Sequence, residues 1–220
     1  MTFTGWPDAA LDFYVRLEAD NSRAFWLAHR ETYDECVKAP FVELSALIEK
    51  EFGPLHIFRP HRDTRFSKDK TPYKTTAAAV TESEGGASYY VQISAEGLYA
   101  GSGYYHLQTD QLERFRNAVA DSRTGPKLAA AVDALRRKKY EVASRDALKR
   151  APRGFDPDHP RVDLLRMKGL HVGRTFGVPR WLHTAAAAQR VTTAWRDAAP
   201  VNRWLDRQVG PSTLAPPEPD

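Results

Sequence analysis

Sulfur is scarce in this chain of 220 residues, which has one cysteine, Cys36, and two methionines. A lone cysteine cannot close an internal disulfide. That excludes a disulfide-stapled scaffold and fits a reducing, cytoplasmic compartment. The helix-like pattern around Cys36 makes it a small buried apolar side chain. No apolar run approaches the roughly 20 residues of a membrane-spanning helix. The opening Met1-Thr-Phe-Thr-Gly-Trp-Pro-Asp is polar and soon acidic, unlike the cationic start and apolar core of a secretory leader. The seven histidines (His29, His56, His61, His106, His159, His171 and His183) form no His-x-His or His-x-x-x-His pair. With a single cysteine beside them, a structural zinc site has no spacing to use, and no metal or cofactor is expected. There is no Walker-type phosphate loop and no Gly-x-Ser-x-Gly elbow. Gly101-Ser-Gly103 has His106 where a dinucleotide fingerprint needs its third glycine, so it reads as close backbone packing or a bulge.

Excess charge is also scarce, and it is local. The chain carries a formal net charge of only +4. Arg59, Arg62, Arg65, Lys68, Lys70 and Lys74 face only Asp63 and Asp69 in the same stretch, a surplus equal to the whole net charge of +4. The rest of the chain is balanced, so global attraction to nucleic acid is a weak expectation. Clustered cations repel one another, and a fold tolerates them most readily where they meet an anion.

At 220 residues and 42% hydrophobic, the chain is long enough to bury a sizeable core. Asp8–Glu18 reads as a helix entered through Pro7, with Ala10, Phe13, Tyr14 and Leu17 on one face. Asp20-Asn21-Ser22 supplies caps for a second helix, which Pro40 is expected to kink or split. Gly53-Pro54 ends the helical region. Leu55–Arg59 is a short strand that leads into the basic loop. Thr75–Thr81, Ser88–Ser94 and Leu98–Tyr105 form a meander with a turn at Gly85-Gly86. Val91 and Ile93 share one strand face with Tyr89, whereas Tyr90, Gln92 and Ser94 give a polar and aromatic opposite face. Helices return at Thr109–Val119 and Pro126–Leu135, and Tyr140–Ala143 is a short strand arm. A loop spans Arg150–Pro160, followed by a short helix over Arg161–Lys168 and a last strand over Leu170–Phe176. Helix is then expected from Pro179 to Trp195, with Pro200 starting another. The fold class is α+β, an antiparallel sheet flanked by N-terminal and C-terminal helices. Residues 1–210 are expected to form one domain and 211–220 a disordered tail.

The basic loop admits two readings. In one, Asp63 orients Arg62 and Arg65 as a preorganised anion clamp, with Arg59, Lys68, Lys70 and Lys74 adding charge. Thr71-Pro72 restricts the backbone there and so aims Tyr73 and Lys74. In the other, the same groups are structural ion pairs. As a catalyst, the loop would use His61 or Asp63 for proton transfer, since neighbouring cations favour neutral His61. The partner is then a small phosphate or carboxylate compound. The alternative is a nucleic-acid-binding or protein-interaction module that uses the same cations.

Arg62-Asp-Thr-Arg-Phe-Ser-Lys-Asp-Lys-Thr-Pro-Tyr-Lys-Thr75 also resembles the signature of a family of uncharacterised proteins, domain of unknown function 2461. Leu148-Lys-Arg-Ala-Pro-Arg-Gly-Phe-Asp-Pro-Asp-His-Pro160 and Leu164-Leu-Arg-Met-Lys-Gly169 resemble the same family, and the likeness runs from about Phe3 to Val209. The family tends to have paired asparagines followed by Trp-Phe; here Asp20-Asn21 and Phe25-Trp26 stand instead, and no role is assigned to that corner. The resemblance implies a shared fold and brings no activity with it. Arg153, Arg166 and Lys168, in the later motifs, form a second basic set, read either as part of one site with the loop or as a solvated surface.

Overall fold

In this computed structural model the described residues are 2–65, 68–82 and 86–214. The N-terminal helices are α1 (Asp8–Ala19), α2 (Arg23–Ala28), the single turn α3 (Arg30–Thr32) and α4 (Ala39–Phe52). They are followed by β1 (His56–Ile57), β2 (Thr76–Glu82), β3 (Ser88–Ser94) and β4 (Gly97–Tyr104). Then come α5 (Thr109–Ala120), α6 (Gly125–Arg137), β5 (Glu141–Ala143), α7 (Val162–Leu165), β6 (Leu170–Gly177), a 3-10 turn (Arg180–His183) and α8 (Ala186–Gln208). Among the described residues six strands form one antiparallel sheet in the order β1-β2-β3-β4-β6-β5, with helices on both sides of it in the sequence, an α+β fold. His56 pairs with Val80 at one edge, and Val142 with Val172 at the other. The expected Gly85-Gly86 turn lies partly outside the described residues.

Two compact units emerge from the backbone contacts. The first comprises 1–81, 89–100 and 175–194, the second 82–88, 101–174 and 195–220. In the first, α1 buries Ala10, Phe13, Tyr14 and Leu17, the stripe that its 3.6-residue period predicts. Trp6 is fully buried against Phe3 and Phe41. Val91 and Ile93 are fully buried from β3, while Tyr90 donates its hydroxyl to Gln92 at 2.7 Å on the other face. In the second unit, Phe115, Leu128, Leu165 and Leu170 are fully buried. Each such side chain contributes roughly 1.5–3 kcal/mol through the area removed from water.

Of the two prolines expected to mark helix boundaries, Pro40 does interrupt the regular helix and Pro200 does not. Tyr33–Lys38 widens into a π-turn in which the Ala39 amide donates to the Asp34 carbonyl, and Pro40 sits at the start of α4. The wider turn draws the preceding carbonyls away from the proline ring, relieving the clash that breaks an α-helix. Pro200 lies inside α8 and starts no new helix. A proline there costs about 3 kcal/mol. The buried Trp195, Ala198, Val201 and Leu205 on either side of it outweigh that cost.

Residues 211–214, expected to open a disordered tail, are tied to α5. Asp110 accepts from Ser212 Oγ at 2.8 Å and from the Thr213 amide at 2.8 Å, and Arg114 donates to the Pro211 carbonyl at 2.8 Å. The rest of the tail, 215–220, lies outside the described residues.

Candidate functional site

The basic loop is closed at its base like a hairpin. His61 and Tyr73 form an antiparallel bridge, with the Arg62 amide donating to Pro72 O and the Lys74 amide to Pro60 O, both at 2.8 Å. Pro60 and Pro72 have no N–H and enter this ladder only as acceptors. Asn21 then grips Tyr73 from the helical side. Its Nδ2 donates to the Tyr73 carbonyl and its Oδ1 accepts from the Tyr73 amide, both at 3.0 Å. A side-chain amide thereby substitutes for a neighbouring strand at one residue. Trp26 lies flat on Tyr73, with centroids 4.4 Å apart and planes 9° from parallel. His61 packs at an angle against both rings, 6.0 Å from Trp26 and 5.1 Å from Tyr73.

Short-range carboxylates shape the rest of the loop. Asp63 accepts from the Arg65 amide at 3.1 Å and from its guanidinium at 3.1 and 2.8 Å. These bonds hold the exposed Asp63 carboxyl down at about 2. Asp69 accepts from the Thr71 amide and hydroxyl and pairs with Arg62 at 3.0 Å. Lys70 donates to the Thr64 carbonyl at 2.8 Å. Among the described residues Asp63 is hydrogen-bonded to Arg65, and Arg62 pairs with Asp69.

Beside the base of the loop lies a cleft of about 600 Å³ within the first unit. Trp26, Arg30, Tyr33, Asp34 and Lys38 line it from α2, α3 and the π-turn, His56 and Ile57 from β1, and Phe58, Arg59, His61 and Lys74 from the segments that follow. Four cations thus meet one carboxylate, Asp34, which is already paired with Arg30 at 2.8 Å. Among the described residues, Arg59, Lys38 and Lys74 have no carboxylate within ion-pairing distance. Lys74 sits 5.6 Å over the Phe58 ring. Desolvation lowers its pKa first, and repulsion from Arg59 and Arg62 adds to the effect. The Nε of Arg62 is buried without a hydrogen-bond partner among the described residues.

Of the residues singled out from the sequence, Arg59, His61 and Lys74 line the cleft, with Tyr73 in the stack beside it. Arg62 is drawn toward Asp69. Arg65, Lys68, Lys70 and Asp63 lie in the exposed outer loop and do not line the cleft. Arg153, Arg166 and Lys168 belong to the second unit. There Arg153 and Lys168 are exposed, and Arg166 pairs with Asp163 at 3.3 Å. Leu164 and Leu165 of the same segment are buried, so that segment contributes to its unit's core. Among the described residues no cluster of His, Cys, Asp or Glu could hold a metal ion. No helix among them is long and apolar enough to cross a membrane.

Asn21, Trp26, Arg30, Tyr33 and Lys38 were not anticipated. Their usable signals were the unusual Asp20-Asn21 and Phe25-Trp26 pairs and Pro40, which forces the wide turn carrying Tyr33, Asp34 and Lys38.

The family model described as conserved hypothetical protein (DUF2461) matches residues 9–204. No curated protein and no solved structure matches the chain. The family match spans almost the whole sequence, including the loop, its anchor and the later motifs, and the chain belongs to the DUF2461 family.

Proposed function

We propose that the cleft binds a small anionic ligand, a phosphate or carboxylate compound, between Arg59 and Lys74 on one side and Arg30 and Lys38 on the other. One observation carries this reading: among the described residues, four cations line a concave site whose one lining carboxylate, Asp34, is already paired. A partly desolvated ammonium beside two guanidinium groups is held against its own electrostatics, and an anion relieves that cost. The rigid base of the loop supports the same reading, because a preorganised clamp loses little conformational freedom on binding. In a reaction at this cleft, His61 is the proton-transfer group. Asp63 lies in the outer loop and stays ionised, a poor base at neutral pH. The lone Cys36 supports a cytoplasmic setting as part of the proposal.

The nucleic-acid reading draws on the outer cations, of which Arg65 and Lys70 are already engaged within the loop. Calorimetry decides between the two. Saturable binding of phosphate or a small carboxylate, lost in Arg59→Gln and Lys74→Met, supports the cleft. Unchanged affinity in both variants overturns it. Oligonucleotide binding that collapses with salt, with no small-anion binding, establishes the alternative. Mass spectrometry of metabolites that co-purify with the protein then identifies the compound.

A further inference from the structure

A second cation-lined groove lies wholly within the second unit. It has a volume of about 240 Å³ and is lined by Thr124, Lys127, Pro200, Arg203, Trp204, Arg207 and Gln208. The Trp204 indole donates to the Thr124 carbonyl at 2.9 Å, fixing α8 against the turn between α5 and α6. That turn is itself tightly bound. Asp121 accepts from the Arg123 and Thr124 amides at 2.9 Å each and from the Thr124 hydroxyl at 3.0 Å. The carboxylate of the turn is thereby committed to its own backbone.

The three cations are placed against intramolecular electrostatics. Arg203 and Arg207 are four apart on α8, where like charges on one face repel. Lys127 is in the first turn of α6, at the end that favours negative charge. Among the described residues none of the three has a carboxylate within ion-pairing distance, and no carboxylate lines the groove. Their side chains are exposed at the rim while Trp204 is buried, so the charge is not needed to complete the core.

We propose that this groove is a second anion site, taking the phosphate group of a small phosphorylated compound. Two guanidinium forks supply paired donors that match phosphate oxygens, and the lysine adds a third positive charge. The volume is sufficient for a phosphate group, and the groove is open to solvent on the side from which a substituent would extend.

The test uses the full-length protein labelled with nitrogen-15, with inorganic phosphate as probe and chloride at matched ionic strength as control. The Trp204 indole N–H reports from the wall of the groove. Phosphate is expected to shift that resonance and the Lys127 and Leu128 amides in a saturable way. The double variant Arg203→Gln/Arg207→Gln changes only exposed side chains and is expected to weaken the apparent affinity about tenfold or more. Arg59→Gln leaves these shifts intact, which separates this groove from the first cleft. Absence of saturable shifts, or shifts that persist in the double variant, overturns the proposal. So does a response only to a single-stranded oligonucleotide, because a nucleic-acid chain is then the source of the phosphate.

Discussion

Trp26 and Tyr73 lie face to face, 4.4 Å between centroids and 9° from parallel, and through that stack the basic loop is fastened to the N-terminal helices. Asn21 completes the fastening with two hydrogen bonds to the Tyr73 backbone. The charges of the loop are thus carried on a rigid base.

The anchor makes a first prediction. Trp26→Ala should destabilise the protein by about 3–5 kcal/mol, the usual cost of truncating a buried tryptophan. Asn21→Ala should cost about 1–3 kcal/mol, because it leaves two backbone groups of Tyr73 without partners. Urea denaturation measures both losses. Asn21→Ala should also speed proteolytic cleavage within the loop, and an unchanged cleavage rate would count against the anchor.

Lys74 offers a trade between stability and binding. Its pKa is depressed by desolvation and by Arg59 and Arg62. Its charge therefore opposes folding below the folded-state pKa, and the penalty fades as pH rises toward the ordinary lysine value of roughly 10.4. Lys74→Met should stabilise the ligand-free protein by about 0.5 kcal/mol after solvent screening, while abolishing anion binding. Paired melting curves and binding isotherms check the two signs, and a variant that is destabilised yet binds normally contradicts the assignment.

Asp110 should govern acid sensitivity at the C-terminal end. The Thr213 amide is the foremost cause of its depressed pKa, with Ser212 and Arg114 also contributing. A depressed carboxyl stabilises fully above its unfolded pKa, roughly 3.9, and that contribution is lost as pH falls through the lower folded value. Asp110→Asn should therefore flatten stability against pH below about 4 and free residues 211–214 even at neutral pH. Hydrogen exchange of the Thr213 amide reads the second effect directly.

Gly97 tests the packing of the first unit. Its φ is +98°, and an added Cβ would stand 2.0 Å from the Gly177 carbonyl oxygen. Gly97→Ala should cost about 3 kcal/mol or more, since both the left-handed backbone and the fixed carbonyl oppose it. Gly154→Ala shares the positive φ of +87° but meets nothing within 4 Å, so it should cost less. Similar losses in the two variants would show that backbone conformation, rather than the close approach, sets the effect.

The sequence by itself determined the secondary-structure plan, because apolar period and turn chemistry are local. The α1 stripe of Phe13, Tyr14 and Leu17 is buried as its spacing requires, and β3 occupies Ser88–Ser94 as its alternation requires. It also located the charge surplus in the basic loop, since counting charges needs no coordinates.

Only the tertiary structure decided which of those charges share a site. Asn21 can cap a helix or bind a distant backbone with similar energy, and only the fold brings Tyr73, 52 positions away, within its reach. The pairing of Asp63 with Arg65 instead of Arg62 depends on loop geometry that residue spacing leaves open. Pro40 stands in the first turn of α4, where a proline costs little, whereas Pro200 stands inside α8 and carries the full local penalty. They are tolerated because a π-turn relieves the first clash and buried side chains on both sides of Pro200 outweigh the second.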